Sequence, residues 1–192
     1  MFEALEIVMK KCILEVLVFF MGLSVGTIYA SDSERFREAG EAIEKGNCDL
    51  GIKIFEEMAG RKVPGALVNL GIIYHSGKCG NQDLHKAYLL YKSAAELDIA
   101  QGHYQYGLLH FGDDSYNPDY DLVFKHWSRA LEQGLPIHYE ISILYYKGLG
   151  VEADPLKAES LLLEGARRGD SHSIHLLLEY YKDIKSPLYK NK

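Results

Sequence analysis

Proline is scarce in this 192-residue chain, with five residues, and there is a single tryptophan. Tyrosine is abundant at 14. A proline-poor, tyrosine-rich chain fits helices with contact-making faces better than a β-sandwich. Cationic excess is missing too: 21 Lys and Arg stand against 27 Asp and Glu, a formal net charge of −6. That balance argues against bulk binding of nucleic acid or anionic lipid, which needs clustered Lys and Arg to neutralise phosphate. A phosphate-cradling glycine loop is lacking; the glycines of "GLGV", Gly148 to Val151, read as turn builders. No long membrane-spanning run occurs either. The main apolar stretch, Val16 to Ala30, is short of the roughly 20 residues a span requires.

That stretch follows Lys10-Lys11 and precedes polar "SDSERFRE". A positive region, an apolar core and a small residue at Ala30 read as an export signal over 1–30, cleaved near Ala30. Met9, followed directly by the two lysines, is an alternative start to Met1. "GLSVG", Gly22 to Gly26, matches a nucleophile elbow in letters. It lies inside the apolar run without strand–turn–helix context, so no catalytic residue is assigned. Three cysteines occur. Cys12 leaves with the signal, and the absence of a cysteine at the cut argues against a lipid anchor. Cys48 and Cys79 remain, an even number for an oxidising compartment.

The dominant feature is a repeat. "SGKCGNQDLHKAYLLYKSAAELD" and "KGLGVEADPLKAESLLLEGARRGD" share glycine, polar loop, Asp, Lys-Ala, apolar stretch and turn. Units begin at Ala66, Gly102, Ile137 and Ser173, and their loop aspartates are Asp83, Asp119 and Asp154, in steps of 36 and 35. Each unit reads as two helices. Ala66, Leu70, Ile73 and Tyr74 form one stripe, and Leu84, Ala87, Leu90, Tyr91 and Ala94 another. Asp83 takes an N-cap position, and Pro155 follows Asp154 at the first helical residue. Gly134 and Gly169 stop second helices. Gly71 and Gly107, mid-helix at one phase, predict close helix approach. Ser142 replaces that glycine in the third unit, and Asp113 replaces the loop glycine in the second.

This pattern resembles the Sel-1-like repeat family, relatives of tetratricopeptide repeats. The resemblance runs well over Ala66 to Lys192, and 31–65 looks like a degenerate first unit. It implies an all-α fold, a right-handed α/α solenoid of helix-turn-helix repeats. The organisation expected is signal 1–30, degenerate repeat 31–65, repeats 66–101, 102–136 and 137–172, and a partial repeat or cap 173–192. Stacked helix pairs share a continuous core and offer an extended concave surface.

Carried over by motif position, the groove-facing residues are Val68, Ile72 and His75; Tyr104, Leu108 and Phe111; Tyr139, Ile143 and Tyr146; then His175 and Glu179. Aromatic and aliphatic residues in successive rows of solvent-facing positions point to a contact site. Stacking also brings the turns holding Cys48 and Cys79 to one edge. A disulfide is expected there, closing a loop of about 30 residues and contributing about 3–4 kcal/mol on a chain-entropy estimate; the alternative is two free thiols.

The eight histidines read as surface or interface residues. His172 and His175 are spaced to share a metal, but no cysteine or carboxylate cluster completes a site, so neither metal nor cofactor is expected. The resemblance implies a non-enzymatic, protein-binding periplasmic module with no stable membrane insertion after signal cleavage. Small exported Sel-1-like proteins include immunity partners that bind and neutralise antibacterial phospholipase-type effectors of type VI secretion. Others serve as envelope adaptors or scaffolds, or as secreted virulence-associated proteins, and a few are linked to cell-wall substrates through cysteine pairs that this chain lacks.

Overall fold

The computed structural model describes residues 32–80, 82–112 and 118–182. The expected signal, with "GLSVG" and Cys12, lies outside the described residues, as do Asp113 and the C-terminal "KSPLYKNK". Among the described residues there are nine helices and no strand. They are α1 (32–44), α2 (Cys48–Gly60), α3 (Pro64–Ser76), α4 (Leu84–Glu96), α5 (Ala100–Leu108), α6 (Tyr120–Glu132), α7 (His138–Lys147), α8 (Pro155–Arg167) and α9 (Ser171–Lys182). No helix among them is long and apolar enough to cross a membrane.

The chain divides into two units, Met1–Arg61 and Lys62–Lys192. In the first, α1 and α2 meet through small and aromatic residues. A Cβ on Gly51 would sit 2.6 Å from the Ile43 side chain, and Phe36 meets Phe55 edge-on at 5.3 Å. Ion pairs Arg35–Glu57 and Arg61–Asp32, each 2.6 Å, flank this contact. Cys48 is the first residue of α2 rather than part of a turn, whereas Cys79 lies in the turn after α3. Both cysteines are disulfide-bonded.

The second unit is an all-α repeat. Each helix from α3 to α9 packs on the next, most closely within the pairs α3–α4, α5–α6 and α7–α8. The turn inside each pair is closed twice by its aspartate. Asp83, Asp119 and Asp154 accept from the backbone N–H groups of Lys86, Leu122 and Lys157 at 2.9, 3.0 and 2.9 Å. Their own N–H groups donate to the carbonyls of Tyr74, His110 and Tyr145, each nine residues earlier, at 2.8, 3.1 and 2.9 Å. Such caps satisfy otherwise orphaned helix-terminal groups, each contributing about 1 kcal/mol.

The approach of helices within a pair is set by one small and one large residue. Tyr91 lies against Gly71, where a Cβ would overlap its ring. Trp127 lies against Gly107, where a Cβ would come within 2.6 Å of the indole. At the same phase of the third pair the residues are Ser142 and Leu162. Tyr91, Trp127, Ser142 and Leu162 are all buried. By repeat position a leucine in place of the ring would leave room for a Cβ, and the Ser142 hydroxyl donates to the Tyr139 carbonyl at 2.6 Å. One core cluster centres on Trp127 with Val123, Ala130, Ile137, Ile141 and Leu144. A second centres on Tyr91 with Ala87, Ala95, Tyr106 and Leu109.

Candidate protein-binding face

The first helices of the pairs, α3, α5 and α7, carry most of the positions that sequence assigns to the groove; Phe111 lies in the bend after α5, and His175 and Glu179 on α9. Ile72 and Tyr146 are exposed, at 39% and 37%. His75, Tyr104, Leu108, Phe111, Tyr139 and Ile143 are half-buried. Val68 is buried, at 5%, and presents almost no surface to a partner. On α9, His175 and Glu179 are exposed and lie 3.3 Å apart, one helical turn along.

Several of these side chains are anchored from behind. The Tyr104 ring stacks on Trp127 at 5.9 Å, and Phe111 meets the same indole at 5.0 Å. The indole Nε1 donates to the Tyr104 carbonyl at 3.0 Å. The Tyr104 hydroxyl is hydrogen-bonded to Glu140, whose carboxyl burial pushes above its ordinary range. Tyr139 packs against His172 at 5.4 Å. Rings held this way lose little freedom on contact, which favours their use as anchors. Charge is sparse: α3 and α5 contain no Lys, Arg, Asp or Glu. Between them lies a hollow of about 360 Å³, lined by Ile72, His75, Ser76, Gln82, Tyr91, Gln105 and Leu108. Thus Ile72, His75 and Leu108 come together in one cavity, Tyr104 and Phe111 meet at Trp127, and His175 and Glu179 pair with each other.

A polar cluster near α5 and α6 escaped the sequence reading. Asp98 stands at the helix-stop position that Gly134 and Gly169 hold in the following repeats, and it keeps a left-handed φ of 56°. Such a conformation is costly for a residue with a Cβ, though less so for Asp. Its carboxylate accepts from His103 Nε2 at 2.9 Å, Arg129 Nε at 2.8 Å and Gln133 Nε2 at 2.8 Å. The guanidinium, then the imidazole, hold Asp98 well below the usual carboxylate range. His103 Nδ1 in turn faces His126 Nδ1 at 2.8 Å, a bond that requires a proton on one of these two nitrogens only. Burial first, then His103, lowers His126 to about 4.

His103, His110 and His138 are buried, which corrects the expectation of surface or interface histidines. The reason is stacking: His103 sits between a carboxylate and a second imidazole, and His110 packs edge-on against Tyr88 and Tyr106. The step from Gly134 and Gly169 back to residue 98 was the available signal for this cluster. His172 and His175 are both exposed, beside Asp170 and Glu179 respectively. Among the described residues, no three His, Cys, Asp or Glu side chains converge as metal ligands. The polar cluster can bind the turn after α4 to helix α6.

Comparison with known proteins matches three segments, 64–99, 100–135 and 138–170, to the Sel1 repeat model, more than half of the chain. Among solved structures, a Sel1 repeat protein from Oxalobacter formigenes superposes with a TM-score of 0.67 at 23% identity, covering 78% of this chain and 63% of that one. A protective antigen present in uropathogenic Escherichia coli strains, displaying an SLR fold, gives a TM-score of 0.50 at 18% identity, covering 83% and 43%. The chain thus spans less than two thirds of either neighbour's length, and at these identities the likeness concerns fold alone. No curated protein matches the chain.

Proposed function

The chain belongs to the Sel1 repeat family, and we propose from that premise that it is a non-enzymatic module that binds another protein through the face of its first helices. The observation that carries this is the row of apolar and aromatic residues, Ile72, Leu108, Tyr139, Ile143 and Tyr146 on α3, α5 and α7, with Phe111 just beyond α5; α3 and α5 have no formal charge. An isolated surface leucine or tyrosine is ordinary. Successive rows at one phase, with Tyr104 and Phe111 anchored on a buried tryptophan, form the kind of patch that a partner covers.

The finer reading places the protein in the periplasm as an immunity protein. There it binds and neutralises a toxic phospholipase-type effector delivered by a type VI secretion system. The resemblance noted in the sequence, the leading apolar segment after two lysines and the acidic balance support this. Net negative charge would also speed encounter with a basic toxin. An envelope adaptor or virulence-associated role is the alternative.

The test uses residues 31–192 as bait in envelope extract, beside an Ile72→Asp, Tyr146→Asp double variant. Both substituted positions are exposed, so the variant keeps its fold and its circular dichroism. Capture of one lipase-like protein at one-to-one stoichiometry, lost with the variant, establishes immunity and the face. Several envelope components lost together indicate an adaptor. A partner held equally by both baits overturns the assignment of the face.

A further inference from the structure

Asp98 holds a left-handed φ of 56° where the next two repeats have glycine. Backbone strain of this kind gathers at ligand clamps, where the side chain is needed. The Asp98 carboxylate is fixed by Arg129 and Gln133, and it accepts from His103 Nε2 at 2.9 Å. A carboxylate only accepts, so His103 Nε2 carries the proton, and a neutral His103 turns a bare Nδ1 to His126. The two Nδ1 atoms are 2.8 Å apart while the ring centroids are 5.0 Å apart, so the nitrogen edges point at each other. A carboxylate behind a histidine, fixing its tautomer and ring plane, is the common support of a metal-bound imidazole.

Two occupants fit between these nitrogens. One is the proton of a hydrogen bond. The other is a cation, with His126 in the tautomer that carries its proton on Nε2. Zinc–nitrogen bonds of about 2.0–2.1 Å at a tetrahedral angle set two ligand nitrogens about 3.3 Å apart, so the rings need to part by about half an ångström. His126 is half-buried, and both rings border a hollow of about 350 Å³ whose other walls are Asp98, Lys125, Ser128, Arg129 and Glu132. Through this hollow an ion reaches both imidazoles, and water takes the coordination positions that two side chains leave open. Two carboxylates there balance Lys125 and Arg129, and Arg129 is turned to Asp98 and Glu132, so no net charge repels a cation. Imidazole suits zinc, copper and nickel, whereas magnesium and calcium take oxygen ligands. The ligands stand 23 positions apart in sequence, outside any metal-binding spacing.

We propose that His103 and His126 form a two-imidazole site for zinc or a like transition-metal ion, oriented by Asp98, and that the ion ties α5 to α6. The site goes beyond the protein-binding reading and shares no residue with the contact face.

Zinc chloride is titrated into the full chain by calorimetry, with the imidazole nitrogens followed by NMR. One ion should bind at micromolar concentration, and the Nδ1 signals of His103 and His126 should be the ones that move. His126→Gln should lose at least about tenfold in zinc affinity, and Asp98→Asn, which removes the orienting carboxylate, about tenfold. A His172→Gln, His175→Gln double variant, changed at exposed positions of α9, should bind as wild type does. Magnesium chloride should give no response. Circular dichroism identifies a variant that has lost its fold, and the wild-type NMR signals report the ligands without any variant. Zinc that moves other nitrogens instead overturns the proposal, as does equal affinity of wild type and a folded His126→Gln. So does the absence of any response below millimolar zinc, which leaves the pair a plain hydrogen bond. Undiminished affinity in Asp98→Asn overturns the part given to the carboxylate.

Discussion

Helices α5 and α6 are held by two kinds of contact, and the two obey different rules. On one side, Tyr104 and Phe111 lean on Trp127, which fills the space left by Gly107. That contact is made by shape and carries almost no charge. On the other side, Asp98 gathers His103, Arg129 and Gln133, and His103 shares a hydrogen bond with His126. That contact is made by charge and protons. The shape contact has counterparts in the neighbouring repeats, at Gly71–Tyr91 and Ser142–Leu162. The charged one sits where the later repeats have glycine, and it keeps a positive φ to do so. Shape can be repeated with small adjustments of volume. A carboxylate, a guanidinium and two imidazoles need partners from five sequence positions at once.

The largest expected effect comes from removing the shape contact. Trp127→Ala should lower unfolding free energy by about 3–5 kcal/mol, because it removes a buried indole and leaves a cavity. Denaturant titration measures this, and a loss comparable to that of a surface substitution would show that the indole is not central.

Next comes a transplant. Gly107→Ser alone should cost about 1–3 kcal/mol by crowding the indole. Pairing it with Trp127→Leu copies the Ser142–Leu162 pair of the third repeat. The double variant should be more stable than the sum of the single losses requires, with a coupling of about 0.5–3 kcal/mol. Strict additivity would refute size matching as the rule.

At Asp98, two substitutions separate strain from charge. Asp98→Gly loses the carboxylate but relieves the left-handed backbone; Asp98→Ala loses the carboxylate and keeps the strain. The alanine variant should be the less stable by about 1 kcal/mol. The Arg129 pair is exposed and screened by solvent, so it adds little to the common loss.

The last effect is the dependence on pH. Folding lowers His126 from its ordinary 6.5 to about 4. Above about pH 6.5 the ring is neutral whether folded or not, and the contact is fully present. As pH falls from there towards 4, the unfolded chain takes up a proton that the folded chain refuses, and stability declines. Asp98, also lowered on folding, adds a further loss below the ordinary carboxylate value of 3.8. Urea titrations between pH 7.5 and 4.5 should show the decline, and His126→Gln should flatten it. An identical slope in that variant would assign the pH dependence to other groups.

Much of this architecture was legible in sequence because it is local. Asp83, Asp119 and Asp154 cap helices through atoms three residues away, and Gly134 and Gly169 stop helices by their own φ. The place of Gly71 and Gly107 at one phase already implied close helices. Ser142 looked like an irregularity until the matching position of the third repeat was seen to hold leucine in place of a ring. Other features depend on contacts that no period announces. Val68 belongs by position to the solvent-facing row, yet it is buried. Cys48 reads as a turn residue, yet it opens α2. The hollow that joins Ile72, His75 and Leu108 also takes in Tyr91 from a second helix and Gln82 from a turn.

Sequence by itself therefore determined the helices, their caps, the repeat and the phase of the contact rows, since each follows from hydrogen bonds and apolar spacing within a few turns of chain. Tertiary structure alone decided which member of a row stands free and which aspartate meets two histidines. Those outcomes hang on the distance between stacked helices, and that distance is set by the volumes of side chains about 20 residues apart in sequence, each of which must fit the other.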